Sequence, residues 1–171
     1  LTKLKNYSEA LQEFEKAIEV SPNPYVDYYH ERGNVKYALN DNIGAIKDLS
    51  FAIKANPSNS GLWLSRARIK YQSNDLNGAI QDLNEGILWD QDSYGKNFVN
   101  IQLFYERCKV NYLMEEFRNA LSDCNKAISA WSTRLNHSNH EFFWNFRESN
   151  DYYGKIYFKR GKIKIALNDK K

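Results

Sequence analysis

Arginine and aspartate recur in this chain at places where ion pairs could form. Arg32, Arg66, Arg107 and Arg160 each stand immediately before a small residue, Gly33, Ala67, Cys108 or Gly161. Asp48, Asp82 and Asp123 recur further along, with Glu13 in the same place near the start. Asp is a poor residue for a helix interior. Its recurrence therefore predicts a repeated Arg–Asp pairing between helices, structural in role. At partly exposed sites each pair would add about 0–1 kcal/mol, so register specification would be its main effect.

Other reactive residue types are sparse. Cys108 and Cys124 are too few for a disulfide framework or a zinc set. Antiparallel packing of their helices should bring them near each other. The expectation is two buried thiols acting as small hydrophobes, because a disulfide would require oxidising surroundings and close backbones. His137-Ser138-Asn139-His140-Glu141 contains metal-ligand types, but no further cluster supports them. No Gly-rich phosphate loop, nucleophile elbow or cysteine pair at ligand spacing is present. No catalytic residue, cofactor or metal is expected.

The elements that position these residues come from one helical phrase written several times. It runs Glu9-Ala10-Leu11 to Ala17-Ile18, then Gly44-Ala45-Ile46-Lys47-Asp48-Leu49 to Ala52-Ile53. It returns as Gly78-Ala79-Ile80-Gln81-Asp82-Leu83 to Gly86-Ile87, and as Asn119-Ala120-Leu121-Ser122-Asp123-Cys124 to Ala127-Ile128. Ala10 to Ala45 is 35 residues, Ala45 to Ala79 is 34, and Ala79 to Ala120 is 41, one period plus an insertion. Such a period signals stacked supersecondary units. Each phrase follows another helical stripe, as in Tyr28, Tyr29, Arg32, Gly33, Val35 and Leu39, separated by a break such as Asn40-Asp41-Asn42. Asn23-Pro24 suits a helix start and Asn56-Pro57 a helix end. The unit is a helical hairpin, helix A then helix B. The small residues sit where a second helix must approach closely; Ala45, Ala79 and Ala120 are expected to face them.

Bulk composition agrees. The chain has 171 residues, 42% hydrophobic and 26% charged, as in folded soluble proteins. A net charge of +3 gives no basic field of the kind nucleic acid attracts. No apolar run is long enough to span a bilayer, so no membrane partner is expected. No secretory signal is visible, and the chain opens inside a repeat without an initiator Met. It reads as a piece of something longer, with cytoplasm the default setting.

The pattern resembles the tetratricopeptide repeat (TPR) family. The matching residues are an early aromatic in helix A (Tyr29, Trp63, Phe104, Tyr157) and the small residue four positions on. After these come the Ala of helix B, a second small residue (Ala52, Gly86, Ala127) and a closing Pro (Pro22, Pro57). Gln91 replaces that Pro in the second full repeat, and the third lacks it. The resemblance implies an all-α, right-handed superhelical solenoid of TPR hairpins: a single array over 1–171. Residues 1–22 would end one repeat, and 25–57, 59–91 and 98–131 would be full repeats. Residues 132–150 would be an aromatic insertion and 151–171 the first helix of a further repeat.

It also implies a groove lined by helix A, where peptides bind. Helical spacing places Asn34, Tyr37, Arg68, Tyr71, Tyr105, Lys109, Tyr112, Lys155, Lys159 and Lys162 on that face. The same spacing places His30 and Leu64 there. Tyrosines beside cations would suit an extended peptide with acidic residues or a free carboxylate; alternatively they merely floor the groove. Family members that clamp chaperone C-terminal carboxylates use Lys, Asn and Arg there. Here only Asn34 matches, with His30, Ser65, Gln102 and Glu106 at the other positions, so that activity is not expected of the first three helix A elements. A second candidate patch is Phe142, Phe143, Trp144 and Phe146 in the insertion, which reads either as an extension of the last helix or as a partner-binding surface.

The reading is a non-catalytic protein-interaction scaffold with a protein or peptide partner. The alternatives are an RNA-binding helical-repeat module, which the charge balance disfavours, and the regulatory arm of a larger enzyme. The unpaired last helix, with Tyr157, Ile163 and Leu167, predicts fraying or self-association.

Overall fold

The computed structural model describes residues 2–21, 25–90, 98–137 and 146–169. Those residues form helices α1 (Thr2–Val20), α2 (Val26–Ala38), α3 (Asn42–Ala55), α4 (Ser60–Gln72), α5 (Leu76–Asp90), α6 (Phe98–Leu113), α7 (Phe117–His137) and α8 (Phe146–Asp169). The fold is all-α, built of antiparallel hairpins. The chain divides into two compact units, Leu1–Trp89 and Asp90–Lys171.

Each hairpin turn is made the same way. Asn40, Asn74 and Glu115 adopt left-handed backbone, with φ of 66°, 63° and 59°. The N–H three residues past each helix end then reaches back to a carbonyl: Asp41 to Lys36, Asp75 to Lys70 and Glu116 to Asn111, all at 2.9 Å. This closure satisfies carbonyls that the helix end leaves orphaned. The next helix begins at once, because the Asp41 carboxylate accepts the Gly44 N–H at 2.8 Å and Asp75 that of Gly78 at 2.9 Å. The glycine opening the repeated phrase follows from this cap. A Cβ on Gly44 would lie 2.1 Å from an Asp41 carboxylate oxygen. For α2, the sequence signal Asn23-Pro24 lies outside the described residues, and Tyr25 in the cap position makes no side-chain cap bond.

In the first unit, Ala45, Leu49, Ala52 and Ile53 of α3 pack with Leu62 and Ile69 of α4; Tyr29, Tyr37, Ile46 and Trp63 cover them. A Cβ on Gly33 would sit 3.3 Å from both the Ala45 carbonyl oxygen and the Leu49 side chain. The small slot is therefore filled by Leu49 as well as by the Ala45 backbone. In the second unit the core joins Ile101, Tyr105 and Cys108 of α6 with Ala120, Cys124 and Ala127 of α7 and Ile156 and Ile163 of α8.

The Arg–Asp pairs form, and they are more buried than the sequence estimate assumed. Arg32 donates through Nε and Nη2 to the two Asp48 oxygens at 2.8 and 2.7 Å. Arg66 grips Asp82 at 2.8 and 2.7 Å, and Arg107 grips Asp123 at 2.9 and 2.6 Å. A second donor one turn on completes each site: Lys36 to Asp48 and Lys70 to Asp82 at 2.9 Å, and Asn111 to Asp123 at 2.9 Å. The guanidinium groups also lie over Tyr29, Trp63 and Phe104, 5.4, 5.2 and 5.7 Å from the ring centroids. The three Asp side chains are only 3–4% exposed. Burial pushes the Asp48 carboxyl up, but hydrogen bonds from Arg32 and Lys36 outweigh it and hold the pKa below the usual value. Breaking such a buried site from one side costs about 3–5 kcal/mol, not the fraction of a kcal/mol expected of a surface pair.

Cys108 and Cys124 are joined as a disulfide with Cα atoms 5.5 Å apart, which corrects the expectation of two free thiols. They stand 16 residues apart, as do each Arg and its Asp. They occupy the place of Gly33 facing Leu49: the close approach that demands a small residue also brings two cysteines within bonding range.

The 132–150 insertion is helical at both ends, since α7 runs to His137 and α8 starts at Phe146. Phe142, Phe143, Trp144, His140 and Glu141 lie outside the described residues, as do Pro22 and Gln91. Phe146 and His137 fall in helices, but their side chains are not among those described. Among the described residues nothing comes within 4 Å of the Cβ position of Gly161.

Candidate functional site

The candidate groove residues lie on helix A elements of both units. In the first unit, α2 carries Asn34 and Tyr37, and α4 carries Arg68 and Tyr71; all four are half-buried. Tyr37 packs against the core. Beside them, His30 of α2 and Ser65 of α4 share a hydrogen bond at 3.2 Å. Two positions that the family resemblance assigns to a carboxylate clamp are thus engaged with each other. Leu64, expected to face outward, is buried at 4% exposure.

The second unit assembles a denser site from α6 and α8. Tyr105 is buried and meets Tyr152 edge to face at 5.1 Å. The Lys109 ammonium lies 5.4 Å from the Tyr105 centroid and also pairs with the Glu106 carboxylate one turn back. Tyr112 contacts Phe117 at 5.6 Å and receives the Lys159 ammonium over its ring at 4.5 Å. Burial lowers the pKa of Lys159, and the like charges of Lys162 and Lys109 lower it further. Lys162 lies 4.9 Å from the centroid of Phe158, which is 66% exposed. Lys155 stands apart in an exposed pair with Asp151 at 2.6 Å.

Of the predicted residues, the structure thus gathers Tyr105, Lys109, Tyr112, Lys159 and Lys162 in one unit and leaves Lys155 at the edge. Sequence reasoning missed Tyr152 and Glu106. The first lies ahead of the repeated pattern on α8, and the second was read only as a departure from the clamp set. A separate cavity of about 640 Å³ opens between the start of α7 (Phe117, Arg118, Leu121) and the end of α8 (Lys164, Leu167), with charges of both signs. Among the described residues, no group of His, Cys, Asp and Glu could hold a metal ion. No helix among them is long and apolar enough to cross a membrane.

The arrangement offers the ammonium groups of Lys109 and Lys159 over two tyrosine rings and that of Lys162 over Phe158. Such a surface stabilises an anion flanked by apolar or aromatic contacts. It contains no nucleophile with an adjacent base.

Comparison with known proteins supports the fold. Residues 1–24 match the tetratricopeptide repeat model. No curated protein matches the chain by sequence. Among solved structures, BtubC from P. vanneervenii is similar over 98% of this chain and 67% of its own, with 12% identity and a TM-score of 0.76. The first TPR of Spaghetti (RPAP3), bound to the HSP90 peptide SRMEEVD, is similar over 84% of this chain and 93% of its own, with 17% identity and a TM-score of 0.64. The TPR2B domain of yeast Sti1, in complex with an Hsp70 peptide, is similar over 80% and 96%, with 18% identity and a TM-score of 0.63. The family model thus reaches only the first 24 residues, while the fold of the chain is similar to that of tetratricopeptide repeat structures.

Proposed function

We propose that this protein is a non-catalytic interaction scaffold whose α6–α8 face takes an extended acidic peptide segment. The observation that carries the reading is the Lys159 ammonium, half-buried over Tyr112 and crowded by Lys162 and Lys109. Three cations held together cost electrostatic energy that an incoming carboxylate relieves. The tyrosine rings add amphipathic contact area with little side-chain entropy to lose.

Two relatives support the class of partner: the Spaghetti domain holds SRMEEVD, an acidic peptide, and the Sti1 domain holds an Hsp70 peptide. The donor set here differs. His30 and Ser65 bond to each other, and Glu106 pairs with Lys109. The ligand therefore meets lysines of α6 and α8 rather than the clamp formed by chaperone-binding relatives.

A display library of random heptapeptides selected on the purified protein should enrich sequences rich in Asp and Glu. Lys159→Glu should weaken the selected peptide at least tenfold by fluorescence anisotropy while leaving the circular dichroism unchanged. Selection of neutral or basic peptides, or binding insensitive to Lys159→Glu, would refute the assignment.

A further inference from the structure

The lysines between α6 and α8 set up more positive charge than one carboxylate matches. Tyr105, Lys109 and Tyr112 follow at helical spacing on one stripe of α6. Lys159 of α8 holds its ammonium 4.5 Å from the centroid of Tyr112, so it meets that stripe one turn from Lys109. Lys162 stands one turn further along α8. Burial first, and then the charges of Lys162 and Lys109, lower the pKa of Lys159.

Little negative charge answers these cations. Glu106 pairs with Lys109 within α6. Asp151, two turns before Lys159 on α8, is held by Lys155 at 2.6 Å. Among the described residues, Lys159 and Lys162 pair with no carboxylate. Three ammonium groups against the single carboxylate of Glu106 leave an excess of two positive charges.

The scaffold does not call for this arrangement. Two residues past the early aromatic, α2, α4 and α6 carry Glu31, Ser65 and Glu106, whereas α8 carries Lys159. In the first unit, Ser65 is bonded to His30 at 3.2 Å. A cation at this position is thus peculiar to α8 among the four helix A elements, and the other hairpins fold without it.

We propose that the α6–α8 face recognises a phosphorylated serine or threonine within the peptide it takes. This rests on the acidic-peptide reading above and names the anion. A phosphate monoester carries about −1.5 to −2 charge at neutral pH, which matches the excess; one carboxylate leaves a positive charge uncompensated. Its three terminal oxygens give each of three ammonium groups an acceptor, where a carboxylate has two. The partner that best fits a carboxylate is the planar guanidinium fork, which takes both oxygens at once. The cations of this face are lysines, point charges that a tetrahedral anion accepts from several directions. Tyr105 and Tyr112 then carry the peptide on either side of the phosphate.

Four pools of heptapeptides test the anion. Their central position is serine, aspartate, an aspartate pair or phosphoserine, and the remaining positions are random but free of Asp and Glu. By fluorescence anisotropy on the purified protein, the phosphoserine pool should bind about tenfold tighter than either aspartate pool, the gain from one further charge-assisted contact. Lys159→Gln and Lys162→Gln, both outside the Arg–Asp clamps, should each shrink that preference with circular dichroism unchanged. Inorganic phosphate should compete only far above the Kd of the phosphoserine pool, because it makes no tyrosine contacts. Binding of the phosphoserine pool alone would uphold this inference and remove plain acidic peptides as ligands. Aspartate pools that bind as tightly as phosphoserine would overturn it and leave the acidic-peptide reading standing. A preference undiminished in both variants would overturn the site, and inorganic phosphate binding as tightly as the peptide would overturn the peptide. No pool bound above the serine level would remove both this inference and the reading beneath it.

Discussion

The buried aspartate sites make a demand that a surface ion pair would not. Replacing Asp48 by Asn keeps the shape and one acceptor oxygen but removes the charge that Arg32 and Lys36 share, and turns an amide N–H₂ toward two cations. One-sided disruption of a buried pair costs about 3–5 kcal/mol. Arg32 and Lys36 retain 18% and 17% side-chain exposure and can turn partly to water, so the expected loss is near the lower end, about 3 kcal/mol. With a urea dependence of about 1–3 kcal/mol per molar, the unfolding midpoint should fall by roughly 1–3 M. Glu13→Gln is the internal control: it is the same position in the phrase but is 74% exposed, and should change stability by less than about 0.5 kcal/mol. Urea titration by circular dichroism, with amide hydrogen exchange of α2 and α3, measures both. The sign with pH is also set. The Asp48 pKa is lowered by folding, so its contribution is full above the unfolded carboxyl value of about 3.9 and is lost as pH falls through the folded value. The gap between wild type and Asp48→Asn should therefore close in acid. A loss below about 1 kcal/mol at neutral pH, with no acid convergence, would show that the clamp behaves as an exposed pair and refute the reasoning.

Two further outcomes follow from the core. Intact mass after alkylation in denaturant should show no free thiol until the protein is reduced. Cys108→Ala with Cys124→Ala should cost about 3 kcal/mol, the value for closing a loop of this length, and should abolish any effect of reductant on the urea midpoint. The two small slots should respond oppositely to a larger residue. Gly161→Ala, with open space around it, should stabilise α8 by up to about 1 kcal/mol. Gly33→Leu, facing Leu49 and the Ala45 carbonyl, should cost about 1–3 kcal/mol or more through overpacking; thermal unfolding distinguishes the two.

The hairpins were legible because their determinants are local and repeat. Asn40 and Asn74 tolerate left-handed backbone, Asp41 and Asp75 cap the following helix, and apolar positions recur at helical spacing. The Arg–Asp pairing was legible for the same reason, but its burial was not. Burial depends on Tyr29, Trp63 and Phe104 lying under the guanidinium groups and on Lys36, Lys70 and Asn111 closing the other side, all of which are tertiary facts. The disulfide was misread because cysteine at a small slot looks like any other small residue; only the backbone separation distinguishes them. The groove residues were placed by helical phase alone. Phase does not say that Glu106 would partly neutralise Lys109, or that Tyr105 would be held by Tyr152.

The division of labour between conserved geometry and variable chemistry then has a physical basis within each hairpin. The residues at the Arg, small and Asp positions answer to one another across α2–α3, α4–α5 and α6–α7, so changing one leaves a buried charge or a clash worth kcal/mol. One position past the small slot stand Asn34, Arg68, Lys109 and Lys162, which differ in chemistry from repeat to repeat. That position can change from amide to guanidinium to ammonium while the scaffold stays intact. Lys159 lies outside the clamp as well, yet its ammonium is fixed by Tyr112 and burdened by Lys109 and Lys162. A cation fixed in place before the ligand arrives loses little freedom on binding, and its repulsion from two neighbours ends when a carboxylate joins them. Ligand choice in this protein is thus expected to follow the α8 lysines, and substitutions at the repeat's framework positions should reach it only by way of stability.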